Sequence, residues 1–238
     1  MTILKAALNY ALSEQRIKHG EAWQRVKPFR GTTSARLRFL SDEEQLRLVN
    51  TCPNGFRELV QGALLTGCRY GELARLQVRD YNANAGTVFI AESKSGKSRH
   101  VFLTEEGKTL FEAQTAGRPA ECFIFEQERK RRKRLNLGKH WGHGDASKIM
   151  KDVCKLAEIE SLTFHELRHT YASKLVNKGV PLAYVAAQLG HSTTRMVEKH
   201  YGHLAPSAMA EAIRAALPSL GLVQKSKIQT LKVSGNKE

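Results

Sequence analysis

The sequence predicts a mainly α-helical α+β protein in which one small antiparallel β-hairpin interrupts a set of packed helices. Apolar residues recur at i, i+3 and i+4 through most of the chain, as in FRELVQGALLT at 56–66, which is the period of helices with one buried face. Only Thr87 to Ile90 and His100 to Leu103 read as β-like, with Ser95 and Gly96 between them as turn residues. At 238 residues and 41% apolar content, the chain can bury one substantial core, or one core and a small appendage.

Taken in order, Ile3, Leu4, Ala7, Leu8, Ala11, Leu12 and Ile17 form a stripe that predicts an amphipathic helix over 3–17. Residues 18–38 carry Pro28, Gly31 and the basic Arg25, Lys27, Arg30, Arg36 and Arg38, a linker composition suited to lying along phosphate. The compact domain is expected to start near Phe39, where Ser41 and Glu44 match the S-x-x-E capping box ahead of a helix. Helices follow at 56–66 and 71–76, with the backbone turning around Gly67. The hairpin then places Lys94 at its tip, and residues 104–114 return to helix. An unbroken basic run, Arg129, Lys130, Arg131, Arg132, Lys133 and Arg134, leads into a loop rich in Gly and His. Helical periodicity resumes at 147–157, 165–178, 182–189 and 206–217, and no internal repeat is apparent.

Lys and Arg outnumber Asp and Glu by 38 to 23, a formal charge of +15, with a pI near 9.9. That balance favours an extended polyanion, and double-stranded DNA is the expected partner. No long apolar run and no basic amphipathic helix with an aromatic face argues for a membrane. Residues 1–20 lack a basic start ahead of a continuous apolar stretch, so a cytoplasmic location is expected. Cys52, Cys68, Cys122 and Cys154 show no C-x-x-C spacing and read as ordinary thiols.

Three segments carry chemistry. In LLTGCRYGELARL, Arg69 and Glu72 fall at i and i+3, close enough to pair. The plain reading is a helix-start ion pair; the functional one is a guanidinium fork held by Glu72 and aimed at a phosphate. HELRHTYAS at 165–173 satisfies the H-E-x-x-H pattern of zinc metalloproteases. Against zinc stand the lack of a third ligand at the H-x-x-G-x-x-H spacing and the cation of Arg168 between the histidines. The other parsing puts His165 and Arg168 on one helical face toward a shared target and leaves His169 as a core or capping histidine. In QLGHSTTRMVEKHYGHL, His191 follows a helix-ending glycine. Tyr201 lies ten residues further on, beside His200 and His203, in a short polar segment with no hydrophobic stripe. That makes it a candidate nucleophile.

In sequence order, Arg69 within TGCRYGEL, Lys94 within ESKSGK, the H-x-L-R-H run, L-G-H-S and a closing tyrosine resemble the catalytic domain of the tyrosine recombinase, or phage integrase, family. The resemblance runs from about residue 38 to residue 217 and implies that family's mainly helical catalytic fold with a small β-sheet. It implies a site-specific recombinase in which Arg69, Lys94, His165, Arg168, His191 and Tyr201 are catalytic, with Glu72 in support. The interval from His191 to Tyr201 is one residue longer than in many relatives. The family usually has a helical DNA-clamping domain upstream, so residues 1–37 are expected to be the last helix of such a domain plus a basic linker. Residues 218–238 are expected to be a basic tail that is disordered or packs on a neighbour.

The implied mechanism needs no metal and no cofactor. Arg69 and Arg168 would grip the non-bridging oxygens of a phosphodiester, with a further hydrogen bond from His191. His165 would take the phenolic proton of Tyr201, and Lys94 would protonate the leaving 5′ oxygen. The product would be a 3′-phosphotyrosyl link, and four protomers on two duplexes would exchange strands. The basic run from Arg129 to Arg134 would contact the DNA backbone. Three alternatives remain open at this point: a relaxing topoisomerase of type IB, a zinc metalloprotease built on HELRH, and a DNA-binding module without catalysis.

Overall fold

A computed structural model describes residues 2–27, 38–91, 98–127, 140–142, 144–204, 209–211 and 215. The chain divides into two compact units, Met1–Arg36 and Leu37–Glu238. In the first, α1 (Thr2–Ser13) and the short α2 (Glu21–Gln24) are joined where Trp23 Nε1 donates to Asn9 Oδ1 at 2.9 Å and Lys5 Nζ donates to the Val26 carbonyl. The stripe predicted over 3–17 therefore stops early. Gln15 adopts a left-handed φ of 56° that a helix cannot contain, and part of the expected linker is the helix α2.

The second unit opens with α3 (Asp42–Thr51), capped as the sequence predicts: Ser41 Oγ accepts from Glu44 N at 3.1 Å, and Glu44 Oε2 accepts from Ser41 N at 2.9 Å. Next come α4 (Phe56–Thr66) and α5 (Tyr70–Arg75), then a three-stranded antiparallel sheet of β1 (Tyr81–Asn82), β2 (Thr87–Ile90) and β3 (Arg99–Phe102). The sheet has one strand more than the expected hairpin, because two residues are too few to show a period. β3 also begins one residue before the predicted His100. Register pairs Val88 with Val101 on the buried face and Phe89 with His100 on the outer face. The helices α6 (Glu105–Thr115), α7 (Asp145–Leu156), α8 (Phe164–Asn177), α9 (Leu182–Leu189) and α10 (Arg195–Tyr201) complete the described part. Of the helix predicted at 206–217, residues 209–211 and 215 are described, and they are helical.

Two apolar clusters fill this unit, and α8 contributes to both. Leu167 belongs with Leu48, Phe56, Leu59, Leu73, Val88, Val101, Phe111 and Phe125; Ala172 and Val176 belong with Val185, Leu189, Val197 and Tyr201. The helix therefore carries His165 and Arg168 along the joint between the clusters. Lys94, the run Arg129–Arg134, the expected turn at Ser95 and Gly96, and the tail 218–238 lie outside the described residues.

The capping box makes a quantitative expectation. Ser41→Ala removes one side-chain acceptor from the start of α3 and should lower the free energy of unfolding by about 1 kcal/mol, read by urea denaturation. No change in the midpoint would show that the cap contributes nothing.

Candidate active site

The turn from α4 into α5 places the first charged groups. Gly67 takes a left-handed φ of 65°, and a Cβ there would lie 2.4 Å from Tyr171 Cδ1, so the turn needs glycine on both counts. Two residues on, Arg69 caps α5: its N–H donates to Glu72 Oε2 and its Nη1 to Glu72 Oε1, both at 2.8 Å. The pair expected between Arg69 and Glu72 is thus formed. Glu72 also takes a second guanidinium, from Arg99 at the start of β3, whose Nη1 and Nη2 donate to its two oxygens at 3.1 and 2.9 Å. Burial alone would push the Glu72 carboxyl up; hydrogen bonds from Arg99 and Arg69 outweigh it and hold the group below its ordinary range.

Arg168 is the deepest of the cations, 3% exposed. Its Nη1 donates to the Gly67 carbonyl at 2.8 Å and its Nη2 to the Leu189 carbonyl at 2.6 Å, which ties the ends of α4 and α9 to α8. Burial and the neighbouring Arg69 charge lower its pKa to about 10, so it remains a cation at neutral pH. His191 enters after Gly190, whose φ of 72° ends α9, and its Nε2 lies 3.0 Å from Arg168 Nη2. A guanidinium can only donate, so Nε2 accepts and the neutral ring carries its proton on Nδ1. That nitrogen is buried and finds no partner among the described residues.

Tyr201 ends α10 and is 3% exposed. The expectation of a polar segment without a hydrophobic stripe is corrected here: Val197 and Tyr201 stand at i and i+4 and both pack into the second cluster. Burial pushes the phenol up to about 12. Its hydroxyl is hydrogen-bonded to His169 Nδ1, and His165 stands edge-on to His169 with ring centroids 4.7 Å apart. Sequence reasoning placed His165 beside the phenol and left His169 to the core or a cap; the structure gives that place to His169. α10 meets α8 one turn beyond His165, a crossing point that spacing along the chain does not reveal. Burial, then the charges of His165 and His200, lower His169 to about 4; burial, then Arg168 and Arg69, lower His191 to about 4. His165 moves the same way, through desolvation and then Arg168 and Arg69.

The structure thus gathers Arg69, Glu72, His165, Arg168, His191 and Tyr201 around the α8 N-terminal turns, with Arg99 and His169 added. Arg99 escaped sequence reasoning because a basic residue at a strand start reads as solvated surface. The zinc reading of HELRH loses its base: Glu166 is turned back to the Thr163 N–H as the cap of α8, and His169 Nδ1 is taken by the Tyr201 hydroxyl. Among the described residues, no group of three or more His, Cys, Asp or Glu is arranged for a metal ion, and no helix is long and apolar enough to cross a membrane.

Comparison with known proteins gives a consistent result. Residues 38–208 match the model of the phage integrase family. The integrase of Salmonella phage P22 is 29% identical over 75% of this chain and 47% of its own length. The tyrosine recombinase XerC of Oceanobacillus iheyensis is 30% identical over 76% of this chain and 61% of its own. The chain therefore spans about half to three-fifths of these relatives. Among solved structures, the catalytic domain of bacteriophage HP1 integrase aligns with a TM-score of 0.54 at 26% identity, covering 74% of this chain and 93% of that one. The Tn1549 transposon integrase in complex with transposon right end DNA aligns with a TM-score of 0.66 at 19% identity, covering 90% and 77%.

The lowered imidazoles set a pH dependence. His169 and His191 sit near pKa 4 in the folded protein against about 6.5 in the unfolded chain. The unfolded chain therefore binds more protons below pH 6.5, so stability is full above that value and falls as pH drops toward 4. Urea midpoints measured from pH 7 to pH 5, above the carboxylate range, should decline, and His169→Gln with His191→Gln should flatten the decline. An unchanged slope in the double variant would contradict the assignment.

Proposed function

The chain belongs to the phage integrase family, and we propose that it cuts and rejoins DNA strands through a covalent 3′-phosphotyrosyl link on Tyr201. The supporting observation is a charge imbalance. Arg69 and Arg99 share one carboxylate, Glu72, while the buried Arg168 near them is held, among the described residues, by two carbonyls and an imidazole. A site built this way is completed by an anion, and a phosphodiester meets it with two non-bridging oxygens suited to guanidinium forks. Beside it stands a phenol on a neutral imidazole.

In this reading Arg69 and Arg168 stabilise the charge that grows on the pentacoordinate phosphorus, and the Nδ1–H of His191, which has no partner among the described residues, adds a donor. A phenol near pKa 12 and an imidazole near 4 leave the proton on oxygen in the resting protein, so deprotonation accompanies attack. With the His169 proton on Nε2, the Tyr201 hydroxyl donates to Nδ1, which receives the proton. His165, lowered by burial and then by the Arg168 and Arg69 charges, serves the phosphate side. As the Tyr201 oxygen bonds to phosphorus, the bond to the 5′ oxygen breaks, and Lys94 supplies that oxygen's proton. Reversal by another strand's 5′ hydroxyl conserves the phosphodiester, so neither a metal nor a nucleotide cofactor is needed. Because Tyr201 is buried, α10 has to shift for the phenol to reach phosphorus.

Double-stranded DNA is the proposed partner, with residues 38–217 as the catalytic unit, the run Arg129–Arg134 and the basic residues of 18–38 on the backbone, and a tetramer on two synapsed duplexes. The same reading has the protein acting in the cytoplasm.

The test is covalent capture. A randomised pool of duplexes, each nicked so that the cleaved end diffuses away, is incubated with the chain, and denaturant-resistant adducts are recovered and sequenced. Tyr201→Phe should yield none while binding the recovered duplex within about twofold of the unaltered chain, because one hydroxyl adds little to a phosphate-dominated interface. Adducts that persist in the variant would move the nucleophile elsewhere.

A further inference from the structure

Arg99 has more partners across the fold than any role so far given to it requires. It begins β3, yet its guanidinium reaches two other elements, α5 and α9, and the turn before α5. Nη1 and Nη2 take both oxygens of Glu72 on α5, at 3.1 and 2.9 Å, and Nε donates to the Gln188 carbonyl near the end of α9 at 3.0 Å. Nη2 also lies 3.9 Å from Cys68 Sγ. The guanidinium packs against Gly190 so closely that a Cβ there would fall 2.8 Å from Nη1. Its side chain is 8% exposed and that of Glu72 3%, against 26% for Arg69.

These contacts differ in kind. The fork of Arg99 clamps the carboxylate in one plane and is itself pinned to α9, so Glu72 has little freedom to rotate. Arg69 touches the same carboxylate through Nη1 and lies nearer the surface, which makes its direction dependent on how Glu72 is held. We infer that Arg99 is a positioning residue: anchored on α9, it fixes Glu72, and Glu72 in turn aims the guanidinium of Arg69 at the scissile phosphate. This rests on the reading of Arg69 as a phosphate-gripping group. Arg99 has no contact with substrate in this account. Its effect passes through one buried carboxylate, and lysine cannot reproduce it, because a single ammonium cannot span both oxygens and still reach Gln188.

The experiment is a double-mutant cycle on single-turnover cleavage, using the nicked duplex recovered by covalent capture with the unaltered chain. Arg99→Gln should slow cleavage about 100-fold, the scale of a misplaced reacting group, with the dissociation constant for the duplex within about twofold of its original value. In an Arg69→Gln background the same change should slow cleavage by less than about threefold, since the residue it aims is gone. A role confined to folding would lower the thermal midpoint and act equally in both backgrounds. Should Arg99→Gln fail to melt cooperatively, Arg99→Lys, which keeps the charge, carries the same cycle with the same expectation. Cleavage at the original rate, or equal slowing with and without Arg69, overturns the proposal. An unaltered chain that captures no duplex overturns the functional reading and this inference with it; capture with an inert Arg99 overturns this inference alone.

Discussion

Among the described residues a single buried carboxylate, Glu72, faces a region into which three guanidinium groups are folded, and the arrangement of the second unit follows from that shortage. Burying a cation without a counter-charge is costly, so each remaining donor has to find an oxygen. Arg168 finds the Gly67 and Leu189 carbonyls at the ends of α4 and α9, and Arg99 finds the Gln188 carbonyl. The same bonds that satisfy the cations thus hold α8, α5, β3 and the end of α9 together. Glycine at 67 and 190 lets the backbone pass this close, since a side chain at either position would collide with a packed residue. In the proposed function, a phosphodiester would supply the missing negative charge.

Around the phenol the constraint is different. Tyr201 lies in the smaller apolar cluster with Val197, Val185 and Leu189, and burial holds its proton on oxygen. His169, lowered by burial and by its imidazole neighbours, is kept neutral and able to accept that proton. The two halves of the site meet along α8, whose residue 168 faces the cations and whose residue 169 faces the phenol. A one-residue step on a helix turns the side chain by about 100°, which sets the cation cluster and the phenol on different sides of α8 within one turn.

Much of this was legible in the sequence, for physical reasons that can be named. The capping box at Ser41, the span of α9 and the glycine breaks at 67 and 190 depend on local chemistry, which a linear pattern carries. The pairing of Arg69 with Glu72 was readable because three residues on a helix start leave few other partners. What escaped was long-range. Arg99 lies 27 residues from Glu72, and no local signal marks a strand-start arginine as buried. The assignment of the phenol to His169 over His165 depends on where α10 crosses α8, which spacing along either helix does not determine. The two-residue strand β1 is too short for any period to appear, and Val197 beneath Tyr201 was hidden by the polar residues between them.

The guanidinium cluster is proposed to form an anion site before DNA arrives, and orthovanadate, a phosphate analogue that accepts five ligands, tests it without a target sequence. Thermal unfolding of the purified chain is followed against vanadate concentration, beside Arg69→Gln, which leaves Glu72 paired with Arg99. A saturable rise in Tm is expected for the unaltered chain and a much weaker one for the variant, as for a ligand that binds only the folded state. No rise, or the same rise in both proteins, would contradict the claim that these guanidiniums form a phosphate-binding site.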